Sequence, residues 1–331
     1  MLSQFRGTSV LSAFVIGVLS THALLAQLGS ATISGSVTDS TSAVAVGATV
    51  TALNAANSFR RVTVTNSVGQ YSLPGLAPST YNLTVELSGF KKFQQTGLTL
   101  QVDQNAEINV ALEIGQLTET VEIQADAPLV ESASASIGAV IDTRKITMLP
   151  LNGRNFAQLA LLVPGANTGA PGATNGGGFS VGGARSEQNA FQIDGTSNTD
   201  SYQNRVSVTP NIDGILEFKI QTNNYSAEFG KGAGAQVNLV TRSGTNEFHG
   251  TLYEFWRNNV VQARRFFDRN RVSFPCDKSD PNTLTRTACA PGFNQNQFGF
   301  TLGGPVILWP KSGRDRKTFF FTTYEGFRQV R

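Results

Sequence analysis

The sequence predicts a mainly β protein, and three observations carry that expectation. Charged residues make up 15% of the chain, against about 25% in an average soluble domain. Gly, Ser, Thr, Asn and Gln fill the difference. The 33 glycines and 22 phenylalanines stand beside only two Met and two Trp, a composition of turns and strands rather than helical bundles. Apolar and polar residues alternate in several short runs, as half-buried strands require. In order, the chain reads as a signal peptide at 1–26, a β-sandwich at 27–115, a linker at 116–128 and an α+β domain at 129–245. The first three strands of an incomplete transmembrane β-barrel follow at 246–331.

The amino terminus has the parts of a secretory signal. Arg6 gives a short positive region, Val10 to Leu19 an apolar core too short to span a bilayer, and Ala23 and Ala26 small residues for cleavage. The mature chain is expected to begin near Gln27, beyond the inner membrane. The formal net charge is +3. No Lys/Arg cluster interleaves with aromatics, so nucleic acid is not an expected partner.

The sandwich is read from its alternation. Tyr81, Leu83, Val85 and Leu87 fall on one face; Asn82, Thr84, Glu86 and Ser88 fall on the other. Further strands are expected at Thr32–Thr38, Ala48–Leu53, Phe59–Thr65 and Ala106–Leu112, with turns at Asn66–Gly69, Leu73–Gly75 and Ser88–Gly89. The wording Gly35 to Asp39, Gly47 to Val50, Thr65 to Tyr71, Leu76 to Tyr81 and Gly89-Phe90 resembles a carboxypeptidase-regulatory-like domain. That resemblance implies a prealbumin-like β-sandwich, not a peptidase.

Gly115 to Pro128 follows. It is β-prone, with Val121 and Ile123 alternating against Glu122 and Gln124. Glu119, Thr120, Val121, Glu122 and Ile123, with Gln124 and Ala125, resemble a TonB box. The resemblance implies binding of a TonB-type energy-coupling protein by strand addition. A last sandwich strand and a plain linker are the other readings of the same residues.

Beyond Asp126 the pattern mixes short helices and strands. Arg144–Leu149 and Phe156–Val163 read as helices that end before Pro150 and Pro164. Gly165 to Gly183 reads as a loop, and Ala190–Ile193 and Gly214–Thr222 as strands. Leu149 to Phe156, Leu162 to Gly165, Gly182 to Ser186, Phe191 to Gly195, Tyr225 to Gly230 and Gly234 to Thr241 resemble the plug domain of TonB-dependent receptors of the Oar-like group. Phe229-Gly-Lys-Gly232 is not a phosphate loop. Position 225 is Tyr where that motif needs Gly, and no Ser or Thr follows Gly230-Lys231.

The last segments carry the barrel signal. In Gln297–Val306, Phe298, Phe300 and Leu302 face one way, and Gln297, Gly299, Thr301 and Gly303 the other. Apolar outside and small-polar inside is the dyad pattern of a membrane barrel. Phe248–Arg257 and Thr318–Gly326, with Phe319, Phe320, Phe321 and Tyr324, are expected to flank it and resemble the same receptors' first strands. Asn258 to Asn296 is read as an external loop. Its Cys276 and Cys289 have twelve residues between them and read as one disulfide, worth about 3 kcal/mol on the chain-entropy model. Three strands do not close a barrel, so a fragment of a longer receptor is expected, inactive in transport alone.

The reading is therefore a TonB-dependent receptor of the cell outer membrane. Its partners are outer-membrane lipid, a TonB-type protein and an unknown ligand, and no catalytic residue, metal or cofactor is expected. An exported adhesion or carbohydrate-binding β-protein is the alternative.

Overall fold

A computed structural model describes residues 31–116, 120–124, 136–149, 151, 154–169, 178–226, 229–230, 232–258, 261, 294–306 and 318–330. The expected signal peptide and both cysteines lie outside these residues. Among the described residues no helix is long and apolar enough to cross a membrane.

The first unit is a sandwich of two sheets. Its strands are β1 (Ala31–Asp39), β2 (Thr49–Asn54), β3 (Arg60–Val64), β4 (Gln70–Leu76), β5 (Ser79–Glu86), β6 (Lys92–Leu100), β7 (Asn105–Glu107), β8 (Val110–Leu112) and β9 (Thr120–Gln124). One sheet runs β4-β1-β7, with β8 also on β1; the other runs β3-β2-β5-β6-β9. Period-two alternation puts Tyr81, Leu83 and Val85 of β5 in the core with Ile33, Val50, Leu73, Leu98 and Leu100. The turn into β4 is made by Asn66. Its Oδ1 accepts from the Val68 and Gln70 amides at 3.1 and 2.9 Å, and Gly69 supplies φ +73°.

Three expectations shift. Leu73–Gly75 lies inside β4 rather than forming a reversal. Ala106–Leu112 breaks into β7 and β8, which pair with successive stretches of β1. At Gly35 the Ile108 carbonyl oxygen lies 1.9 Å from where a Cβ would stand, so β1 and the β7–β8 break meet backbone to backbone. β6 was not expected at all. Its middle reads Gln94-Gln-Thr-Gly97, which hides the apolar Phe93, Leu98 and Leu100.

The second unit is α+β. β10 (Ile137–Asp142) leads into the single-turn helix α1 (Thr143–Met148), capped by Asp142, whose carboxylate accepts from the Lys145 amide. The helix expected at Phe156–Val163 is a 3-10 helix over Phe156–Leu162, with Asn155 at its cap. β11 (Ala166–Thr168) pairs β12 (Phe179–Val181) at the two ends of the glycine-rich stretch. β13 (Ala190–Ile193), β14 (Thr196–Ser197), β15 (Ile215–Asn223) and β16 (Gln236–Thr241) complete a sheet ordered β10-β15-β16-β13-β14. Phe218, Ile220, Val237 and Leu239 of that sheet pack with Phe156, Leu159 and Phe191. Phe156 meets Phe218 edge to face at 5.9 Å.

The third unit is one antiparallel sheet, β17 (His249–Asn258), β18 (Asn294–Pro305) and β19 (Phe319–Val330), ordered β17-β18-β19. The expected facing of β18 holds: Phe298 and Leu302 are each 43% exposed, whereas Gln297 is 4% and Thr301 7%. Register carries the outward row across the sheet. Leu252 lies opposite Phe300 and Tyr324 opposite Phe300 from the other side, with Phe248 and Phe320 rings 6.2 Å apart lower down. Glu254, opposite Phe298, and Arg328, opposite Asn296, are charged residues among these outward side chains. Both edges of this sheet are open among the described residues.

A test follows from Gly35. A methyl group there collides with backbone, so Gly35→Ala is expected to lower chain stability by about 1–3 kcal/mol. Thermal unfolding checks it, and an unchanged melting temperature contradicts the contact.

Candidate functional site

Two polar clusters join the three units, and both are built from residues that chain geometry leaves no other way to satisfy. The first lies between the second unit and the three-stranded sheet. Arg154 precedes the 3-10 helix and holds φ +51°, an uncommon backbone for a non-glycine residue. That turn aims its guanidinium at the inward face of the sheet. The group pairs with Asp213, and its Nε donates to Glu325 Oε2 at 3.3 Å. It also sits 4.4 Å from the Tyr253 ring centroid and 4.8 Å from that of Phe255, so cation–π attraction adds to the ion pairs.

The surrounding groups complete the network. Tyr253 Oη donates to Glu325 Oε2 at 2.8 Å, and Gln297 Nε2 donates to Glu325 Oε1 at 2.7 Å. Asn211 Nδ2 donates to Tyr253 Oη and to Thr323 Oγ1 at 2.9 and 2.8 Å. Arg154 and Asp213 are largely buried, at 13% and 18% side-chain exposure. β17 contributes Tyr253, β19 contributes Thr323 and Glu325, and Gln297 of β18 joins through Glu325. The cluster therefore ties the second unit to all three strands at once.

The second cluster joins the sandwich to the second unit. One face of β15 and β16 is apolar and packed; the other carries Glu217, Lys219 and Gln221 opposite Val240, Asn238 and Gln236. The turn after β6 docks there. Glu217 accepts from the Val102 amide, Lys219 Nζ donates to the Asp103 carbonyl at 3.1 Å, and Asn238 Nδ2 donates to Asp103 Oδ2 at 2.7 Å. Burial pushes the Glu217 carboxyl up to about 7; the Val102 hydrogen bond opposes this, Asp142 and Asp103 add to it, and Lys219 opposes it.

The residues expected to bind a partner are placed differently. Thr120, Val121, Glu122 and Ile123 form β9, whose register on β6 is parallel: Lys92 with Thr120, Phe93 with Val121, Gln94 with Glu122, Gln95 with Ile123. The segment expected to bridge two domains is thus the outermost strand of the sandwich sheet. Glu119 lies outside the described residues, as do Cys276 and Cys289. Sequence reasoning gave Arg154, Asp213, Tyr253 and Glu325 no role. The available signal was an arginine in a segment with no acidic neighbour of its own. Among the described residues no group of three or more His, Cys, Asp or Glu gathers as a metal site.

Comparison with known proteins assigns the class. Residues 32–113 match the carboxypeptidase regulatory-like domain, and residues 240–331 match the outer membrane beta barrel domain. The chain is an outer-membrane β-barrel protein that carries a regulatory-like sandwich at its amino-terminal side. It is 30% identical over 341 aligned positions to the TonB-dependent transporter Oar of Myxococcus xanthus, covering 98% of this chain. Within the class it groups with the Oar-like TonB-dependent receptors. The chain spans 30% of the length of that relative.

Among solved structures, the ferric enterobactin receptor of Pseudomonas aeruginosa shares 18% identity at a TM-score of 0.34, over 53% of this chain and 23% of that one. A hydroxyquinol 1,2-dioxygenase of Pseudomonas putida shares 11% at 0.22, over 26% of this chain and 57% of that one. These overlaps are too slight to carry a function. The curated relative is a transporter, not an enzyme.

Two outcomes are expected. Arg154→Ala removes the cation that Asp213 and Glu325 share, leaving Asp213 with Arg242, and is expected to cost about 1–3 kcal/mol. Arg154→Lys is expected to recover only part, because an ammonium lacks the planar fork. Urea unfolding of the full chain measures both, and equal stability of all three forms contradicts the cluster's role.

The carboxyl of Glu217 is raised from an ordinary 4.5 to about 7. The folded chain therefore keeps a proton that the unfolded chain has lost across this window, and stability falls as pH rises through it. Glu217→Gln is expected to flatten that fall in a melting-temperature series, and an identical slope rejects the assignment.

Proposed function

We propose that this chain is the plug, coupling segment and first barrel wall of a TonB-dependent transporter that moves a ligand across the outer membrane with energy supplied from inside. In this reading 1–26 is the signal peptide, 27–115 the sandwich, 116–128 the linker with its coupling segment, 129–245 the plug, and 246–331 the start of the barrel. The observation that carries it is the Arg154 cluster. The second unit sits against the polar, inward face of β17–β19, and the outward face is a row of Phe, Leu and Tyr. A plug inside a barrel lumen needs that division of faces.

The partners follow from the same geometry. Outer-membrane lipid contacts the outward row. A TonB-type protein takes the strand around Thr120 to Ile123 by backbone pairing. The ligand is one that the plug and the barrel enclose together, and transport breaks no bond in it. The relative's transporter activity supports this reading.

Val121→Pro is the direct test. Proline removes an amide donor from the middle of the coupling strand, so capture of the full chain by a TonB carboxy-terminal domain is expected to be lost. Undiminished capture rejects coupling through these residues.

A further inference from the structure

The sandwich and the coupling strand are one sheet, and this has a consequence for how a partner binds. β9 is terminal in the order β3-β2-β5-β6-β9. One of its backbone edges is engaged by β6; the other faces no described strand. An edge strand of this kind is a ready template for another chain, because its N–H and C=O groups already lie in ladder geometry. Natural edges are often blunted by proline, lysine or a bulge. Thr120–Gln124 contains neither residue, and its register on β6 runs without a shift.

The placement of β9 is built by the chain that leads to it. The Lys91 amide donates to the Glu113 carbonyl at 2.8 Å, and the Gly115 amide to the Gly89 carbonyl at 3.2 Å. Lys91 Nζ pairs with Glu113 at 3.3 Å. These contacts fix the strand's approach to β6. Val121 is half-buried, while Thr120, Glu122 and Ile123 are exposed, so the side chains leave the outer edge open.

Charge points to the occupant. From Phe93 to Thr143 the sequence has no Lys or Arg, but it has Asp103, Glu107, Glu113, Glu119, Glu122, Asp126, Glu131 and Asp142. The cations just before it, Lys91 and Lys92, are already paired with Glu113 and Glu86, so the acidic excess of the segment that contains β9 favours a partner of opposite sign.

We propose that the sandwich displays β9 as a preformed edge, and that the coupling protein adds a strand with basic flanks to that edge without detaching β9 from β6. The proposal rests on the coupling reading above and deepens it by giving the sandwich a role. Preordering removes part of the entropy cost that a free peptide meets on binding.

Hydrogen exchange on the full chain in detergent, with and without a TonB carboxy-terminal domain, tests it. Amides of Lys92–Leu100 are expected to keep their protection in the complex, and those of Thr120–Gln124 to gain it. Loss of protection along Lys92–Leu100 on binding overturns the proposal, because β9 has then left the sheet; the coupling reading survives that result. Failure of the unmodified chain to bind at all sinks the coupling reading itself, and the proposal with it. For the charge, Glu122→Gln is expected to weaken binding about threefold at low salt and little at high salt. Binding that does not depend on salt overturns the basic partner.

Discussion

A strand in hydrocarbon has one option: it gives every backbone N–H and C=O to neighbouring strands and turns only one face to lipid. Everything distinctive in the last third of this chain follows from that constraint. β17–β19 pair over their whole lengths. Because side chains alternate, the apolar row through Leu252, Phe298, Phe300 and Leu302 obliges the intervening positions to point the other way. Tyr253, Gln297, Thr323 and Glu325 are among those positions and hydrogen-bond within the Arg154 cluster; Phe255, on the same side, lies under the Arg154 guanidinium. The Arg154 cluster is where the second unit satisfies inward polar positions of the three-stranded sheet.

The second unit shows the same logic from the other side. Its sheet is not a simple half-buried one, since residues on both faces of β15 and β16 are buried. Phe218, Ile220, Val237 and Leu239 make the dry face. Glu217, Lys219 and Asn238 make a polar face that the sandwich turn at Val102 and Asp103 meets with three hydrogen bonds, while Asn238 Oδ1, Gln221 Oε1 and Gln236 Nε2 on the same face are buried without a partner among the described residues. Burying such groups is costly unless they are paired. Burial, more than the nearby Asp142 and Asp103, keeps the Glu217 carboxyl raised. That leaves this junction sensitive to pH while the Arg154 junction is neutralised from two sides.

How much of this was legible in the sequence depends on the range of the interaction. Period-two patterns are local, so the facing of β18 and of β5 could be read residue by residue. The helices at Thr143 and Phe156 were legible from the prolines that follow them. β6 was not, because Gln94 to Gly97 interrupts its apolar rhythm. Gly75 sits at φ +76° within a strand, where a local rule places a turn. Arg154, Asp213, Tyr253 and Glu325 are scattered over 171 residues. No local pattern joins them; only the docking of one unit on another does. For Thr120 to Ile123 the sequence allowed a free segment or a last strand, and the choice depended on β6, which was itself hidden.

The sandwich is the element whose role changes most once the contacts are in place. It touches the second unit through Val102 and Asp103. It touches the approach to the barrel through Asn246, whose amide donates to the Ala56 carbonyl at 3.1 Å and whose Nδ2 donates to Ser58 Oγ at 3.3 Å. It also carries β9 on its edge. A domain hung on a flexible tether would need only one of these. The two contacts together hold the sandwich, and β9 with it, in a set direction relative to the sheet of the second unit and to β17. On the coupling reading proposed above, a chain pairing with that edge would meet a positioned surface rather than a loose peptide.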